Sequence, residues 1–344
     1  MAVDTEIAVA SVEPAGPGRR RVRGPGGITG FILRRVLLGG LTLAIVSVVI
    51  FAATQALPSD PARARLGKDA TPESVAALRD RLGLDRSPVQ QYTDWLGGLV
   101  HGDLGISLTS DKPVTDDLRG RLKNSAFLVF LSAIFSIPLS ILLGSYAALK
   151  RDGFFDSSTA LLSLALAAMP EFVVGLLLVA VFATSVFTVL PAVSIIPPGA
   201  DPWFDMSKMW LPTLTLVLAV TPYVSRIMRA SMVEVLESEY VEMARLKGLP
   251  ERVVVWRHAL PNAIGPTFQV IALNLAYLAG GVVVVESVFS FSGIGVMMRD
   301  AVQNRDFVSV QAIGMLIALV YVVTNLLADI ATVLVTPRLR TRLR

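Results

Sequence analysis

EYVEMARLKGLPERVVVWRHALPN, residues 239–262, is a charged, helix-forming stretch that lies between two long apolar runs. Helical spacing from about residue 233 predicts a first helix that presents Leu236, Tyr240, Met243 and Lys247 on one side. Acidic and basic residues surround the rest of that helix. A short amphipathic helix of this kind suits a groove on another protein, with apolar anchors inside the groove and charges at its rim.

Glycine and proline predict where the helices of this stretch begin and end. Gly248 supplies a left-handed cap for the first helix, and Pro250 fits the first turn of a second helix that runs to about Leu260. Pro261 is predicted to interrupt this second helix before the next apolar run. The stretch is therefore predicted to be a two-helix hairpin that is joined at both ends to apolar helices.

The apolar runs themselves predict a membrane protein. Hydrophobic residues make up 53% of the 344 residues and charged residues only 17%. The windows without a charged residue are 36–59, 124–149, 172–200, 209–225, 263–285 and 307–328. Most of them exceed the roughly 20 residues that a helix needs to cross a bilayer. The sequence therefore predicts an all-α membrane protein with six transmembrane helices.

Two of the windows need charged residues to complete a span. The fourth window reaches span length only if it continues past Arg226 and Arg229, whose side chains can extend to the membrane interface. The third span is predicted to begin near Ser157 and to include Glu171.

The positions of the basic residues predict the orientation. Arginine and lysine cluster before residue 36, at 150–151, at 226–257 and after residue 337, and the loops between these clusters carry little net charge. By the positive-inside rule, both termini and the segments near 150 and 226–262 are cytoplasmic. Because the basic residues flank spans instead of forming one soluble face, nucleic-acid binding is not predicted.

The predicted division of the chain follows from these spans. It comprises a disordered cytoplasmic tail at 1–30, a first transmembrane helix at 31–57, an external helical loop at 58–123, a core at 124–336 with the other five spans and the cytoplasmic segment 233–262, and a basic cytoplasmic C-terminus at 337–344.

The external loop is predicted to contain short amphipathic helices. Thr71 is a predicted N-cap with Pro72 at the first helical position, and Gly83 is a predicted left-handed C-cap. A second helix starts near Pro88, and the glycines from Gly97 onward are predicted to break it.

Small residues and prolines predict how the spans pack. Two series of small residues recur every four positions and predict close approach of helix backbones: Ser136, Ser140 and Gly144, and Ala272, Ala276 and Gly280. Pro138, Pro170 and Pro222 are predicted to kink their helices.

The segment ARLKGLPERVVVWRHALPNAIGP, residues 244–266, resembles the cytoplasmic EAA loop of permease subunits in binding-protein-dependent ABC importers, particularly the B-type subunit of dipeptide and oligopeptide systems. The matching positions are Ala244, Lys247, Gly248, His258, Ala259 and Leu260. LGLDRSPVQQYTDWLGGLVHGDLGIS, VFSFSGIGVMMRDAVQNRDF and TPRLR resemble the family's first external segment, its segment after span five and its C-terminal end. The resemblance covers most of residues 31–340, in the family's order. The chain departs from the family at Ser292 and Val308, where proline is common, and at Thr336, where an acid is common.

The resemblance implies a type I ABC importer permease in a bacterial inner membrane. It implies a second permease subunit as a heterodimer partner, two ATPase subunits that bind ATP and Mg, and an external substrate-binding lipoprotein. This chain itself has no GxxxxGK[ST] motif, since Gly67-Lys68 lacks the upstream glycine and the following Ser or Thr. A peptide is the implied ligand, and an oligosaccharide, glutathione or a nickel chelate stays open.

The resemblance also implies that the hairpin couples ATP hydrolysis to transport. The segment 236–248 would dock in a groove of an ATPase subunit, and closure of the ATPases would move spans four and five. The residues predicted to take part are Leu236, Tyr240, Glu242, Ala244, Lys247 and Gly248.

Three polar residues inside the spans are candidates for the transport pathway. Glu171 is costly to place against lipid, so it lines the pathway and meets the amino group of a peptide, pairs with a neighbouring helix, or lies nearer an interface. Gln269 and Asn274 hydrogen-bond across helices or line the cavity. Asp329 is predicted to be an interface or packing carboxylate.

Two other classes of protein compete with this interpretation. A membrane-embedded enzyme would need a catalytic constellation, and the chain has no cysteine, no HExxH and no GxSxG. His101 and His258 lie in loops on opposite predicted sides, so no catalytic or metal site is predicted. A channel or secondary transporter that works alone would explain the spans but would leave the charged hairpin without a purpose.

Overall fold

The computed structural model describes residues 27–56, 61–66, 70–81, 83–197 and 200–335. Most of the predicted tail at 1–30, all of the C-terminus at 337–344, and Thr336 lie outside the described residues. The helices are α1 (Gly27–Gln55), α2 (Pro61–Leu66), α3 (Pro72–Arg81), α4 (Pro88–Val100), α5 (Val114–Leu149), α6 (Phe154–Ala168), α7 (Glu171–Val179), α8 (Trp210–Leu236), α9 (Glu239–Leu246), α10 (Glu251–Val253), α11 (Leu260–Phe289), α12 (Ile294–Gln303) and α13 (Phe307–Val335). A π-helical turn follows α7 at Ala180–Ser185, and another follows α10 at Val254–Ala259.

The described helices account for the predicted spans. Four of them are long and apolar enough to cross a membrane: α1, α5, α8 with the turn before it, and α13. Two further candidates are bent pairs, namely α6 with α7, and α10–α11 with its bend before Gly280. The described part of the chain therefore has up to six spans, in an all-α membrane protein.

The third span is broken where a single helix through Glu171 was expected. α6 and α7 meet at an angle of 106°. Met169, just before Pro170, is extended at φ −93° and ψ 133°, because a proline disfavours helical geometry in the residue before it. Glu171 is consequently the first residue of α7.

The second span begins well outside the predicted window. α5 starts at Val114, ten residues before residue 124, and its 36 residues make it about 54 Å long. The hydrocarbon core of a bilayer is only about 30 Å thick, so one end of α5 projects from it. That end packs against α12 and α13 in a cluster of buried apolar residues: Val114, Leu118, Ile294, Met297, Ala312 and Ile313.

The main core lies between α5, α8 and α11. Leu128, Leu216, Val224, Leu278 and Phe289 are among its buried members. Pro138 and Pro222 lie inside the continuous helices α5 and α8.

The small-residue series on α5 packs as predicted. Ser136, Ser140 and Gly144 are buried, and a Cβ at Gly144 would lie 2.7 Å from Met228 Cβ and would overlap the Ser225 carbonyl oxygen. The series on α11 behaves differently, because a Cβ at Gly280 would meet nothing within 4 Å. The backbones of α5 and α8 therefore approach so closely that position 144 needs glycine.

A Gly144→Ala variant tests this close approach. We expect it to destabilise the protein by about 2 kcal/mol, because the added methyl forces two packed backbones apart. The measurement is the Tm of the detergent-solubilised protein, with unfolding monitored by fluorescence. The matched control is Gly40→Ala on α1, where a Cβ would meet nothing within 4 Å. Equal Tm values for the two variants would show that the α5–α8 contact tolerates a side chain.

The external helices form at the predicted caps. The Thr71 hydroxyl accepts from the Ser74 N–H at 3.2 Å, and Gly83 has a φ of +63°. α4 continues through Gly97 and Gly98 to Val100, so these glycines do not break it. Each helical glycine costs about 1 kcal/mol relative to alanine, and the helix continues through both.

α4 packs on α1 through aromatic rings. The centroids of Phe51 and Tyr92 lie 5.3 Å apart, those of Phe51 and Trp95 lie 5.9 Å apart, and the Tyr92 hydroxyl lies 2.8 Å from that of Ser47. Aromatic pairs at such distances add about 1 kcal/mol beyond the apolar area that they bury.

Candidate functional site

The hairpin of residues 239–262 begins at a break in the chain's helical path. One helix was predicted from about residue 233, but α8 ends at Leu236 and α9 begins at Glu239. Ser238, the N-cap of α9, has extended geometry at φ −77° and ψ 147°, and its hydroxyl donates to the Val235 carbonyl at 2.5 Å. Serine competes in this way with helical hydrogen bonds, and it therefore favours helix ends over helix interiors.

One side of α9 packs on the chain's own core. Val241 is fully buried and Ala244 is 6% exposed, in a cluster with Met228 and Met232 of α8. Leu236 packs against the same cluster. The break therefore turns Leu236, the last residue of α8, away from the side that carries Tyr240, and Val241 and Ala244 hold α9 against α8.

The opposite side of α9 is apolar and exposed. The exposed fractions are 46% for Tyr240, 53% for Met243 and 73% for Leu246. Trp256, in the π-helical turn after α10, is 59% exposed. We call Tyr240, Met243 and Leu246 the coupling surface, after the role that the resemblance implies for the hairpin. Glu242 and Lys247 are also exposed, so charges adjoin it.

Sequence reasoning placed Tyr240 and Met243 on this exposed side and missed Leu246 and Trp256. Starting the helical count at the Ser238 cap adds Leu246, which lies three residues after Met243. A tryptophan directly before Arg257 and His258 is the signal that points to Trp256.

Gly248 makes the turn between the two halves of the hairpin, as predicted. Its φ is +75°, and its N–H donates to the Arg245 carbonyl at 2.9 Å. Arg245 also donates to both carboxylate oxygens of Glu251, at 2.7 and 3.1 Å, and this hydrogen bonding raises the pKa of the Arg245 guanidinium above its usual value. The turn at Gly248 and the ion pair between Arg245 and Glu251 together connect α9 to α10.

Pro261 does not interrupt the second half of the hairpin. α10, the π-helical turn and α11 follow one another without a gap from Glu251 to Phe289, and Pro261 lies in the first turn of α11. Proline removes one backbone N–H there, and the π-helical turn at Val254–Ala259 directly precedes that helix. The Asn262 amide donates to the His258 carbonyl at 2.7 Å. The hairpin is therefore continuous with the fifth span.

An ion pair that the sequence did not reveal links α6 to α8. Asp156 is 6% exposed at its side chain, and the Arg229 guanidinium donates to both of its oxygens at 2.5 Å. Arg229 was expected to extend to the interface, but its partner is this carboxylate. The pair borders a cavity of about 410 Å³ that Gly144, Ser163 and Arg226 also line. Arg151 forms a second link from the start of α6 to Glu237, at the end of α8.

Glu286 on α11 is a second buried acid that the sequence did not reveal. Its carboxylate accepts from the Ser125 hydroxyl at 2.5 Å and from the Gly295 N–H at 2.6 Å. The Ile294 N–H donates to the same Ser125 oxygen at 2.9 Å. A Cβ at Gly293 would overlap the carboxylate. These bonds hold α5, α11 and α12 together, and the signal for them was an acid followed by SGIG.

The pathway candidates lie in different surroundings. The Tyr277 hydroxyl donates to Glu171, which pairs α11 with α7. Gln269 lies on the exposed side of α11. Asn274 was expected to bond across helices or to line the cavity, but its amide donates to the Val270 carbonyl of its own helix at 2.9 Å.

The remaining singled-out residues have structural contacts. Asp329 pairs with Arg35 at 3.1 Å, as expected of a packing carboxylate near a span end. His101 Nδ1 lies 2.7 Å from the Gly97 carbonyl oxygen, and His258 is half-buried. Among the residues that the structure describes, no group of three or more His, Cys, Asp and Glu side chains is placed to hold a metal ion.

The sequence that forms the spans and the hairpin matches a known protein family. Residues 140–341 match the family described as "Binding-protein-dependent transport system inner membrane component", and residues 28–124 match the corresponding N-terminal family. The chain is a permease of this family. The permease is thus a transport subunit of an ABC importer and not itself the ATPase.

Curated relatives match nearly the whole permease. It is 36% identical over 311 residues to the "Probable peptide ABC transporter permease protein y4tP" of Sinorhizobium fredii. The aligned residues cover 90% of this chain and 99% of that relative. It is 34% identical over 310 residues to the "Glutathione transport system permease protein GsiC" of Escherichia coli strain K12. That alignment covers 90% of this chain and 98% of the relative.

Proposed function

We propose that this permease forms half of the translocation pathway of a peptide importer in a bacterial inner membrane. A second, different permease forms the other half, two ATPase subunits bind ATP and Mg, and an external lipoprotein delivers the ligand. The observation that carries the proposal is the coupling surface, which is an exposed apolar patch on a hairpin joined directly to two spans.

The position of the coupling surface supports an ATPase partner. Large apolar side chains that lie together on a polar projection usually mark a protein interface. Tyr240, Met243 and Leu246 are spaced as anchors for a groove, and Glu242 and Lys247 supply charges at the rim. α8 enters the hairpin and α11 leaves it, so a partner that moves the hairpin moves the fourth and fifth spans together.

Basic residues support a cytoplasmic hairpin. Arg34 and Arg35 lie near the start of α1, and Lys150 and Arg151 follow α5, on the side of the membrane to which the positive-inside rule assigns Arg245, Lys247 and Arg252. Both termini are then cytoplasmic as well, where ATP is available to the partners.

A peptide is the ligand that the relatives support. One relative is named for peptide transport and another for glutathione, which is itself a modified tripeptide. Glu171, which is half-buried at the start of α7, and Gln269, on the exposed side of α11, are the side chains that we propose for the pathway wall.

Uptake by the purified importer tests the proposal. The permease is reconstituted in vesicles with the sister permease, ATPases and lipoprotein encoded beside it, and radiolabelled trialanine and glutathione are supplied outside. We expect trialanine to accumulate only with ATP inside, and vesicles that hold ADP are the control. Uptake by this chain without an ATPase, or uptake of neither peptide by the complete complex, would overturn the proposal.

A further inference from the structure

Two polar side chains from two different spans meet in the structure. Glu171 begins α7, and Tyr277 on α11 donates its hydroxyl to the Glu171 carboxylate. Tyr277 is 49% exposed. A charged acid is unfavourable against lipid, so this surface faces water or protein.

The meeting point coincides with bends in two spans. The third span turns by 106° immediately before Glu171, and the fifth span bends by 56° between Leu275 and Gly280, beside Tyr277. A Cβ at Gly281 would lie 3.0 Å from a Glu171 carboxylate oxygen, so the carboxylate lies against the backbone of α11. Broken and bent spans place side chains around a ligand near the middle of the membrane in many transporters.

From this geometry we propose a transient binding site for the positively charged amino group of the transported ligand. Glu171 is the acceptor, and the ring of Tyr277 lies beside it. The proposal rests on the proposed function, since it assumes that this surface lines the pathway. Tyr277 holds the carboxylate while the pathway is empty, and the incoming ammonium group replaces its hydroxyl.

The chemistry favours an ammonium group over an anion or a neutral sugar. A carboxylate forms charge-assisted hydrogen bonds with an ammonium group, and the faces of tyrosine rings attract cations. The basic residue Arg226 on α8 lines the separate cavity beside Asp156. The negative charge of Glu171 therefore sets the sign of the local potential.

A cysteine placed beside the site measures that potential without knowledge of the ligand. The chain has no native cysteine, so a single introduced cysteine is labelled cleanly. Leu273→Cys lies one turn before Tyr277 on the exposed side of α11, and Leu273 is 55% exposed. The probes are a cationic and an anionic methanethiosulfonate reagent, trimethylammonium-ethyl and sulfonato-ethyl, applied to the complete importer in vesicles. The matched control is Leu41→Cys on α1, where leucine is 57% exposed.

Each rate is divided by the rate of the same reagent with a small thiol in solution, because a cationic reagent reacts faster than an anionic one with any thiolate. On this scale we expect Leu273→Cys to react about tenfold faster with the cationic reagent than with the anionic one. Adding Glu171→Gln should bring the two rates within about twofold, because the charge is lost and the shape is kept. Adding Tyr277→Phe should increase the preference for the cation, because the carboxylate loses its hydroxyl partner. Leu41→Cys should react with neither reagent.

Several outcomes would overturn the site. An unreactive Leu273→Cys would place this surface against lipid or in the contact with the sister permease. Equal rates for the two reagents, or a preference that persists in Glu171→Gln, would remove Glu171 as the acceptor. If the preference for the cationic reagent falls in Tyr277→Phe, the ammonium group does not replace the Tyr277 hydroxyl at Glu171. If the complex imports no peptide but its preference for the cationic reagent still depends on Glu171, the proposed function is wrong and the ammonium site is retained.

Discussion

Replacing Met243 and Leu246 together by glutamate is expected to lower ATP-driven uptake by at least about tenfold and to release the ATPase subunits from the purified complex. The two side chains are the most exposed apolar residues of α9, at 53% and 73%, so the change leaves the chain's own core untouched. Apolar anchors at the centre of an interface each contribute about 2 kcal/mol or more to binding, and a buried carboxylate in their place carries a desolvation cost as well.

The matched control is the double variant Val89→Glu and Val100→Glu on α4. These valines are 72% and 76% exposed, lie on the predicted external side, and receive the same added charge. The control should retain its ATPases and its uptake. If both double variants import at the rate of the unmodified permease, α9 is not the surface that the ATPases hold.

A second large effect is expected from Asp156→Ala. This change leaves the Arg229 guanidinium without its carboxylate at a part-buried site between α6 and α8. Loss of one partner from a buried ion pair costs about 3 kcal/mol, which corresponds to a fall in Tm of roughly 5–10 °C for a protein of this size. The measurement is thermal unfolding of the detergent-solubilised chain.

Two further variants separate the ion pair from other causes. Asp156→Ala with Arg229→Met removes both charges and should recover at least half of the lost Tm, since no unpaired charge remains. Asp329→Ala breaks the pair with Arg35, whose side chain is 46% exposed, and should cost less than about 1 kcal/mol. If Asp329→Ala destabilises the protein as much as Asp156→Ala, burial does not explain the importance of the pair.

Local patterns predicted the features that depend on neighbouring residues. The caps at Thr71 and Gly83 and the left-handed turn at Gly248 each need only a few adjacent residues, and the structure has all of them. Prolines were harder to interpret. Pro170 breaks its span, whereas helical structure continues through Pro138, Pro222 and Pro261.

Contacts between distant residues were beyond the sequence pattern. Asp156 and Arg229 are 73 positions apart, and Ser125 and Glu286 are 161 apart, so only the packing of the spans brings them together. The same limit applied to α9. Period counting indicated that the helix has two sides, but the burial of Ala244 and the inward turn of Leu236 follow from the Ser238 break and the cluster beneath it.

The account depends most on the coupling surface binding to an ATPase subunit inside the cell. Its most direct test places the photoreactive residue benzoylphenylalanine at position 246, and at position 100 as the control, in the assembled importer, and identifies the cross-linked peptides by mass spectrometry. The account predicts that position 246 cross-links to the ATPase subunit and that position 100 does not. A cross-link from position 246 to the external lipoprotein, or none to the ATPase in an importer that is transporting, would contradict it.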